Sequence, residues 1–198
     1  MTILNLIFLY FFTIVISYLF GSFPSGYILS KYFNKIDITK QGSGNIGATN
    51  VLRSGSKTLA VLTLLIDALK GAIPVILFSF NGYLMAIAGL FSFLGHNFPV
   101  WLKFKGGKGV ATYVGILFSI NILLGLIFVI SWGVIFIISR YSSLSSIIGS
   151  LSVPLYLFIT TEKSSVIFFI TMFVLIFFTH RENIIRLKNK EESKTKIY

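Results

Sequence analysis

The chain has 198 residues, no Cys and a formal net charge of +11. It is 55% hydrophobic and 16% aromatic, with a mean hydropathy of +0.88. That excludes a soluble globular domain, which keeps a polar surface, and a disordered segment. The lack of Cys excludes a disulfide framework, a Cys-ligated metal and a thiol nucleophile.

Ile3–Phe20 is a nearly unbroken apolar run, and about 20 such residues cross a bilayer core. No Lys or Arg precedes it and no small-residue cleavage site follows, so it reads as a retained span and not a signal peptide. Thr58–Phe80 is apolar except for Asp67 and Lys70, which at i and i+3 predict an ion pair facing the bundle. Asn81-Gly82 signals a turn into Tyr83–Leu102. Gly109–Ser139 carries no charge; as one helix it would run roughly 46 Å, too long for an ordinary span. Tyr141–Thr161 and Ser164–Thr179 complete the apolar stretches.

Basic residues cluster between Lys31 and Lys57, at Lys103, Lys105 and Lys108, at Arg140, and from Arg181 to Lys196. The positive-inside rule assigns all four clusters to the cytoplasm. An even number of spans must then separate each pair, so 109–139 is a hairpin, turning near Asn121, and Lys163 lies on the other face. The expectation is an all-α integral membrane protein with seven transmembrane helices, N-terminus outside and C-terminus cytoplasmic. One transmembrane domain covers 1–198, with a short charged tail from about residue 188. A six-span arrangement is the alternative, because Arg140 stands alone. The basic charge fits contact with membrane lipid; with no soluble basic domain, no nucleic acid partner is expected.

Polar, glycine-rich sequence gathers on the expected cytoplasmic face. In Lys40–Asn50, Gly42, Gly44 and Gly47 match G-x-G-x-x-G, with Asp67 downstream. The context rejects a dinucleotide site, because membrane spans and not a βαβ unit flank the motif. The loop still suits a phosphate. Its glycines let the backbone approach closely, its N–H groups, Ser43, Asn45, Thr49 and Asn50 offer donors, and Arg53 follows. Gly95–Thr112 resembles a Walker A loop but has Leu102 and Gly109 where that motif needs Gly and Ser or Thr, so no nucleotide is implied. What remains is Lys108 flanked by Gly106, Gly107 and Gly109, a phosphate holder. In Thr179–Leu187, His180 and Asn183 share a helical face and Glu182 is spaced to pair with Arg186. Ser142, Ser143, Ser145 and Ser146 read as helix caps. No metal cluster and no Ser-His-Asp triad is spelled out by two His and two Asp.

Together, Gly21–Gly26, Gly42–Asn50, Gly95-His96 through Gly106–Thr112, and His180–Asn183 to Arg186-Leu187 resemble the bacterial acyl-phosphate-dependent glycerol-3-phosphate acyltransferase family (PlsY type), from about residue 15 to 192. The resemblance implies a seven-span enzyme that transfers a fatty acyl group from acyl-phosphate to the 1-hydroxyl of sn-glycerol 3-phosphate, giving lysophosphatidic acid and inorganic phosphate. It implies no metal, nucleotide or other cofactor, and a bacterial plasma membrane location with the site facing the cytoplasm. By motif position, Lys108, His180 and Ser43 are the expected catalytic residues. Gly42, Gly44, Asn45, Arg53, Gly106, Gly107, Ser143 and Asn183 are the expected substrate-binding ones. The chain departs from the family pattern at Phe23, where Ile is common, and at Lys190, where Gly is usual; Glu192 is retained. No protein partner is legible. A small anion or phosphate-ester transporter is the competing reading, but transporters favour midplane sites and repeats, and these motifs sit at one face.

Overall fold

The computed structural model describes residues 2–160 and 165–195. The expected positions of Lys163 and Lys196 lie outside these residues. The helices are α1 (Ile3–Ser22), α2 (Ser25–Phe33), α3 (Ala48–Arg53), α4 (Lys57–Leu77), α5 (Gly82–Asn97), α6 (Val110–Ile120), α7 (Ile122–Ser139), α8 (Ser142–Ile159), α9 (Val166–Thr179) and α10 (Arg181–Lys188). They gather into two compact units, Met1–Ile120 and Asn121–Tyr198.

In the first unit α1 packs on α5, and α4 packs on α5 and α6. Hydrocarbon does not drive apolar helices together, so close backbone approach and polar contacts must do so. Small residues mark the crossings. A Cβ on Gly21 would strike the Ser92 backbone, and one on Gly95 the Tyr18 carbonyl; Gly71 meets the Thr112 carbonyl and Gly115 that of Ala68. Hydroxyls buried among the helices return to the preceding turn, as Thr13 does to Leu9 and Thr63 to Leu59. Large apolar side chains such as Ile3, Leu4, Phe8 and Val61 point outward, the reverse of a soluble protein and the arrangement lipid demands. In the second unit α7 packs on α8, α8 on α9, and α10 on both α8 and α9. Trp132 reaches from α7 to the Ser146 hydroxyl.

Of the seven expected spans, five lie in stretches long and apolar enough to cross a membrane: Ile3–Phe33, Lys57–Leu77, Gly82–Leu102, Ile122–Ser139 and Ser142–Ile159. A sixth exists if α9 and α10, bent by 60° at His180, count as one crossing. The seventh is shorter than expected. The break in 109–139 does fall at Asn121, whose side chain accepts from Leu123 N–H and caps α7. It divides the stretch unequally, leaving α6 with 11 residues, roughly 16 Å against a core of about 30 Å. The turn expected at Asn81-Gly82 is present, with Asn81 capping α5.

Candidate active site

The glycine-rich loop rests on a small apolar core of Ile38, Ile46, Val51, Leu59 and Ala60. Gly42 and Gly44 adopt φ of +54° and +69°, a region that side chains with a Cβ reach only at a cost. Asn50 fixes the turn from behind. Its side chain, 3% exposed, donates to the carbonyls of Ile38, Gln41 and Asn45 at 3.2, 2.9 and 2.8 Å and accepts from Ser43 N–H at 3.1 Å. Asn45 accepts from Gly47 N–H at 2.8 Å. The expectation that both asparagines offer donors to a ligand is therefore corrected for Asn50. Three backbone acceptors buried under the loop claim its amide, because an orphaned carbonyl would cost more than a solvated one. Gly42, Ser43 and Gly44 form an exposed rim, and Arg53, closing α3, is exposed as well.

The second glycine loop leans on the end of α5. Gly106 N–H donates to the Asn97 carbonyl at 3.1 Å and Gly107 N–H to that of His96 at 3.0 Å. The His96 imidazole occupies the space a Gly107 Cβ would need, so the second glycine is a close-approach requirement. Lys108, half-buried, follows directly. The expected Asp67–Lys70 pair is present at 2.8 Å, both side chains buried, and His96 joins it.

In the second unit His180 sits at the bend between α9 and α10, its Nδ1 2.8 Å from the Ile176 carbonyl. A carbonyl accepts only, so Nδ1 carries a proton and donates to it. Glu192 gathers the other residues. Its Oε1 accepts from Ser143 Oγ at 2.8 Å and Asn183 Nδ2 at 2.7 Å, and its Oε2 from Arg186 Nε at 2.9 Å. Burial of the Glu192 side chain opposes its charge, but the bonds from Arg186, Asn183 and Ser143 together outweigh this and hold its pKa below the ordinary 4.5.

Two expectations change here. Arg186 takes Glu192 as its main partner, and Glu182, mostly exposed, stands 3.9 Å away; helical spacing foresaw only the second pair. The serines after Arg140 do not cap α8. Tyr141 holds the cap position, Ser145 and Ser146 donate back to Tyr141 and Ser142, and Ser143 turns to Glu192.

Ser143, Asn183 and Arg186 thus come together around one carboxylate, as Ser43, Gly42 and Gly44 do around Asn50. The organising roles of Asn50 and Glu192 escape sequence reading. Asn50 is one more polar residue in a polar loop. Glu192 lies beyond the end of α10, where helical periodicity carries no information.

The family model for glycerol-3-phosphate acyltransferase matches residues 11–190. A glycerol-3-phosphate acyltransferase of Pelagibacter ubique is 67% identical over 184 residues, covering 92% of this chain and 95% of that relative. One of Rhodopseudomonas palustris is 47% identical over 191 residues, covering 96% and 97%. The crystal structure of PlsY, an integral membrane glycerol 3-phosphate acyltransferase, in its glycerol 3-phosphate form superposes with a TM-score of 0.89 at 38% identity, covering 94% of this chain and 96% of that one. Its lysophosphatidic acid form gives 0.87 at the same identity. On these matches, the chain belongs to the PlsY-type glycerol-3-phosphate acyltransferase family.

Proposed function

We propose that this chain moves a fatty acyl group from acyl-phosphate to the 1-hydroxyl of sn-glycerol 3-phosphate, at the cytoplasmic face of a bacterial plasma membrane. The observation that carries the reading is the exposed rim of Gly42, Ser43 and Gly44, pinned from behind by Asn50 and followed by Arg53. The Ser43 and Gly44 N–H groups bond inward to Asn50 and the Gln41 carbonyl, so the exposed rim offers an anion the Ser43 hydroxyl, with the Arg53 guanidinium at the end of α3. The crystal forms of the PlsY relative, with glycerol 3-phosphate and with lysophosphatidic acid, support the acceptor and the product. The donor is the one the family resemblance implies, and it is consistent with the loops: both substrates then carry phosphate, which suits two glycine-rich loops and the cations Arg53 and Lys108.

Acyl-phosphate is already an activated anhydride, so no covalent enzyme intermediate, metal or nucleotide is required. The glycerol hydroxyl oxygen bonds the acyl carbon, the bond from that carbon to the phosphate oxygen breaks, and the leaving phosphate takes the hydroxyl proton. Lys108 and Arg53 stabilise the charge on the leaving phosphate and on the tetrahedral oxygen. The family resemblance assigns His180, Ser143 and Asn183 to the substrates as well; within the second unit the Ile176 carbonyl holds His180 Nδ1, and Glu192 holds Ser143 and Asn183. The topology we favour counts α6 and α9 as crossings, giving seven with the N-terminus outside.

The test is acyl transfer by the purified protein with palmitoyl-phosphate and labelled sn-glycerol 3-phosphate, palmitoyl-CoA as parallel donor and EDTA in both. Lysophosphatidic acid from acyl-phosphate alone is expected; product from acyl-CoA alone overturns the donor. With His180→Gln, KM for glycerol 3-phosphate rises while kcat stays within about tenfold; a larger kcat loss makes His180 the base. Because the chain has no Cys, single cysteines at 55 and 121 report sidedness cleanly.

A further inference from the structure

We propose that the buried Asp67–Lys70–His96 cluster is a positioning centre for the Lys108 loop. Asp67 and Lys70 lie in the middle of an apolar helix, 2% and 4% exposed. One Asp67 oxygen, Oδ1, accepts from Ser25 Oγ at 2.6 Å and Lys70 Nζ at 2.8 Å, and faces His96 Nδ1 at 3.7 Å. Lys70 Nζ also donates to the Phe23 carbonyl at 2.9 Å, and Ser92 Oγ ties α5 to the Lys70 carbonyl at 2.6 Å. The Asp67 and Lys70 side chains therefore tie the Gly21–Gly26 turn to α4, and Asp67 meets the end of α5 through the His96 ring, in charge contact and beyond hydrogen-bonding distance.

The end of α5 is where the Lys108 loop is seated. His96 and Asn97 give their carbonyls to Gly107 and Gly106, the His96 ring fills the space beside Gly107, and the Phe93 ring fills that beside Gly109. The residues on both sides of Lys108 thus rest on α5 side chains, and Asp67 faces the ring of His96. A buried ion pair is costly and often replaceable by apolar residues without loss of stability, so its presence inside a membrane helix calls for a task. Holding a catalytic cation matters because small misplacements near the reacting atoms cost rate steeply, on the order of 10²-fold per Å.

This inference rests on the assignment of Lys108 to the acyl transfer above, and its test separates the two. The double variant Asp67→Asn/Lys70→Met neutralises both charges together and leaves neither buried and unpaired. His96→Gln, in the full chain, leaves the ion pair intact and removes only the ring. Amide hydrogen exchange of the peptide covering Gly106–Thr112 reports loop seating whether or not the protein turns over. For both variants we expect a melting temperature within a few degrees of wild type, faster exchange at Gly106 and Gly107, and a kcat loss of about tenfold or more with KM for glycerol 3-phosphate moving less than about threefold. Unchanged exchange and kcat in either folded variant overturn the proposal and leave the cluster as a packing device. Should the double variant not fold, His96→Gln decides alone. Faster exchange in a wild-type background that transfers no acyl group upholds the positioning and sinks the acyl-transfer reading instead.

Discussion

In the first unit the glycine-rich loop is organised by a neutral amide, Asn50; in the second, Ser143, Asn183 and Arg186 are organised by a carboxylate, Glu192. The difference follows from what each must hold. The loop presents carbonyls inward and one N–H, so its organiser has to donate several times and accept once, which an amide does. The second cluster presents only donors, so its organiser has to accept on both oxygens, which a carboxylate does. A neutral organiser keeps its bonds across the pH range. A charged one forms stronger bonds and yields to acid.

The largest effect expected falls on neither organiser but on the cation that the first unit's second loop seats. Lys108→Ala should lower kcat by about 10²–10³-fold, the magnitude lost with a single transition-state donor. Initial rates at saturating acyl-phosphate and glycerol 3-phosphate measure it, and retained activity removes Lys108 from the chemistry.

Glu192→Ala comes next. It takes the acceptor from the buried Ser143 hydroxyl and from the half-buried Arg186 guanidinium, at a cost of about 1–3 kcal/mol, so thermal unfolding should shift down and activity fall with it. Asn50→Ala strips three carbonyls of a donor, for about 1–3 kcal/mol, and its damage should be confined to the first unit. Hydrogen exchange by peptide separates the two: Asn50→Ala loosens 38–51, and Glu192→Ala loosens 181–192. Loosening of both regions by either variant breaks the comparison.

Acid sharpens it. The folded Glu192 carboxyl has a pKa below its ordinary 4.5, so its contribution is complete above that ordinary value and is lost as pH falls through the depressed one. The melting temperature of wild type should exceed that of Glu192→Gln at neutral pH, and the gap should close only as pH falls below the ordinary 4.5 toward the depressed value. Asn50→Ala should show a gap that does not depend on pH over the same interval. A Glu192→Gln gap that is flat to low pH would deny the carboxylate its role.

How much of this the sequence carried depends on the kind of order involved. Apolar runs locate every long helix, because lipid and packing both act through hydropathy averaged over many residues. The Asp67–Lys70 pair is legible from its i,i+3 spacing within one helix, and Asn121 is legible as a polar residue in an uncharged run. The partners that cross between elements are not. Nothing in Ser25 or His96 points to Asp67, and nothing in Ser143 points to Glu192, since those contacts exist only after helices dock. The break at Asn121 falls where the sequence places it, and what hydropathy does not give is how an arm of only 11 helical residues meets the membrane.

The smallest effect concerns how Glu192 reaches its place. After α10 the chain turns through Lys190, at φ +61°. Lys190 N–H returns to the Leu187 carbonyl at 3.1 Å and Glu191 N–H to that of Arg186 at 2.8 Å. These are the two bonds of a Schellman motif, whose left-handed residue is usually Gly. The departure at Lys190 therefore strains the turn that delivers Glu192. Left-handed backbone costs a side-chain-bearing residue about 1–2 kcal/mol, and glycine's greater freedom in the unfolded chain returns part of it. Lys190→Gly should therefore stabilise by somewhat less than about 1 kcal/mol, a rise of roughly 2–4 °C at most. A counterpart at Arg140, also left-handed at φ +64°, should respond in the same direction, because Arg140→Gly relieves the same backbone strain between α7 and α8. If Lys190→Gly lowers the melting temperature instead, the Lys190 side chain contributes more to the turn than its backbone strain removes, and the glycine preference of this position has a cause other than φ.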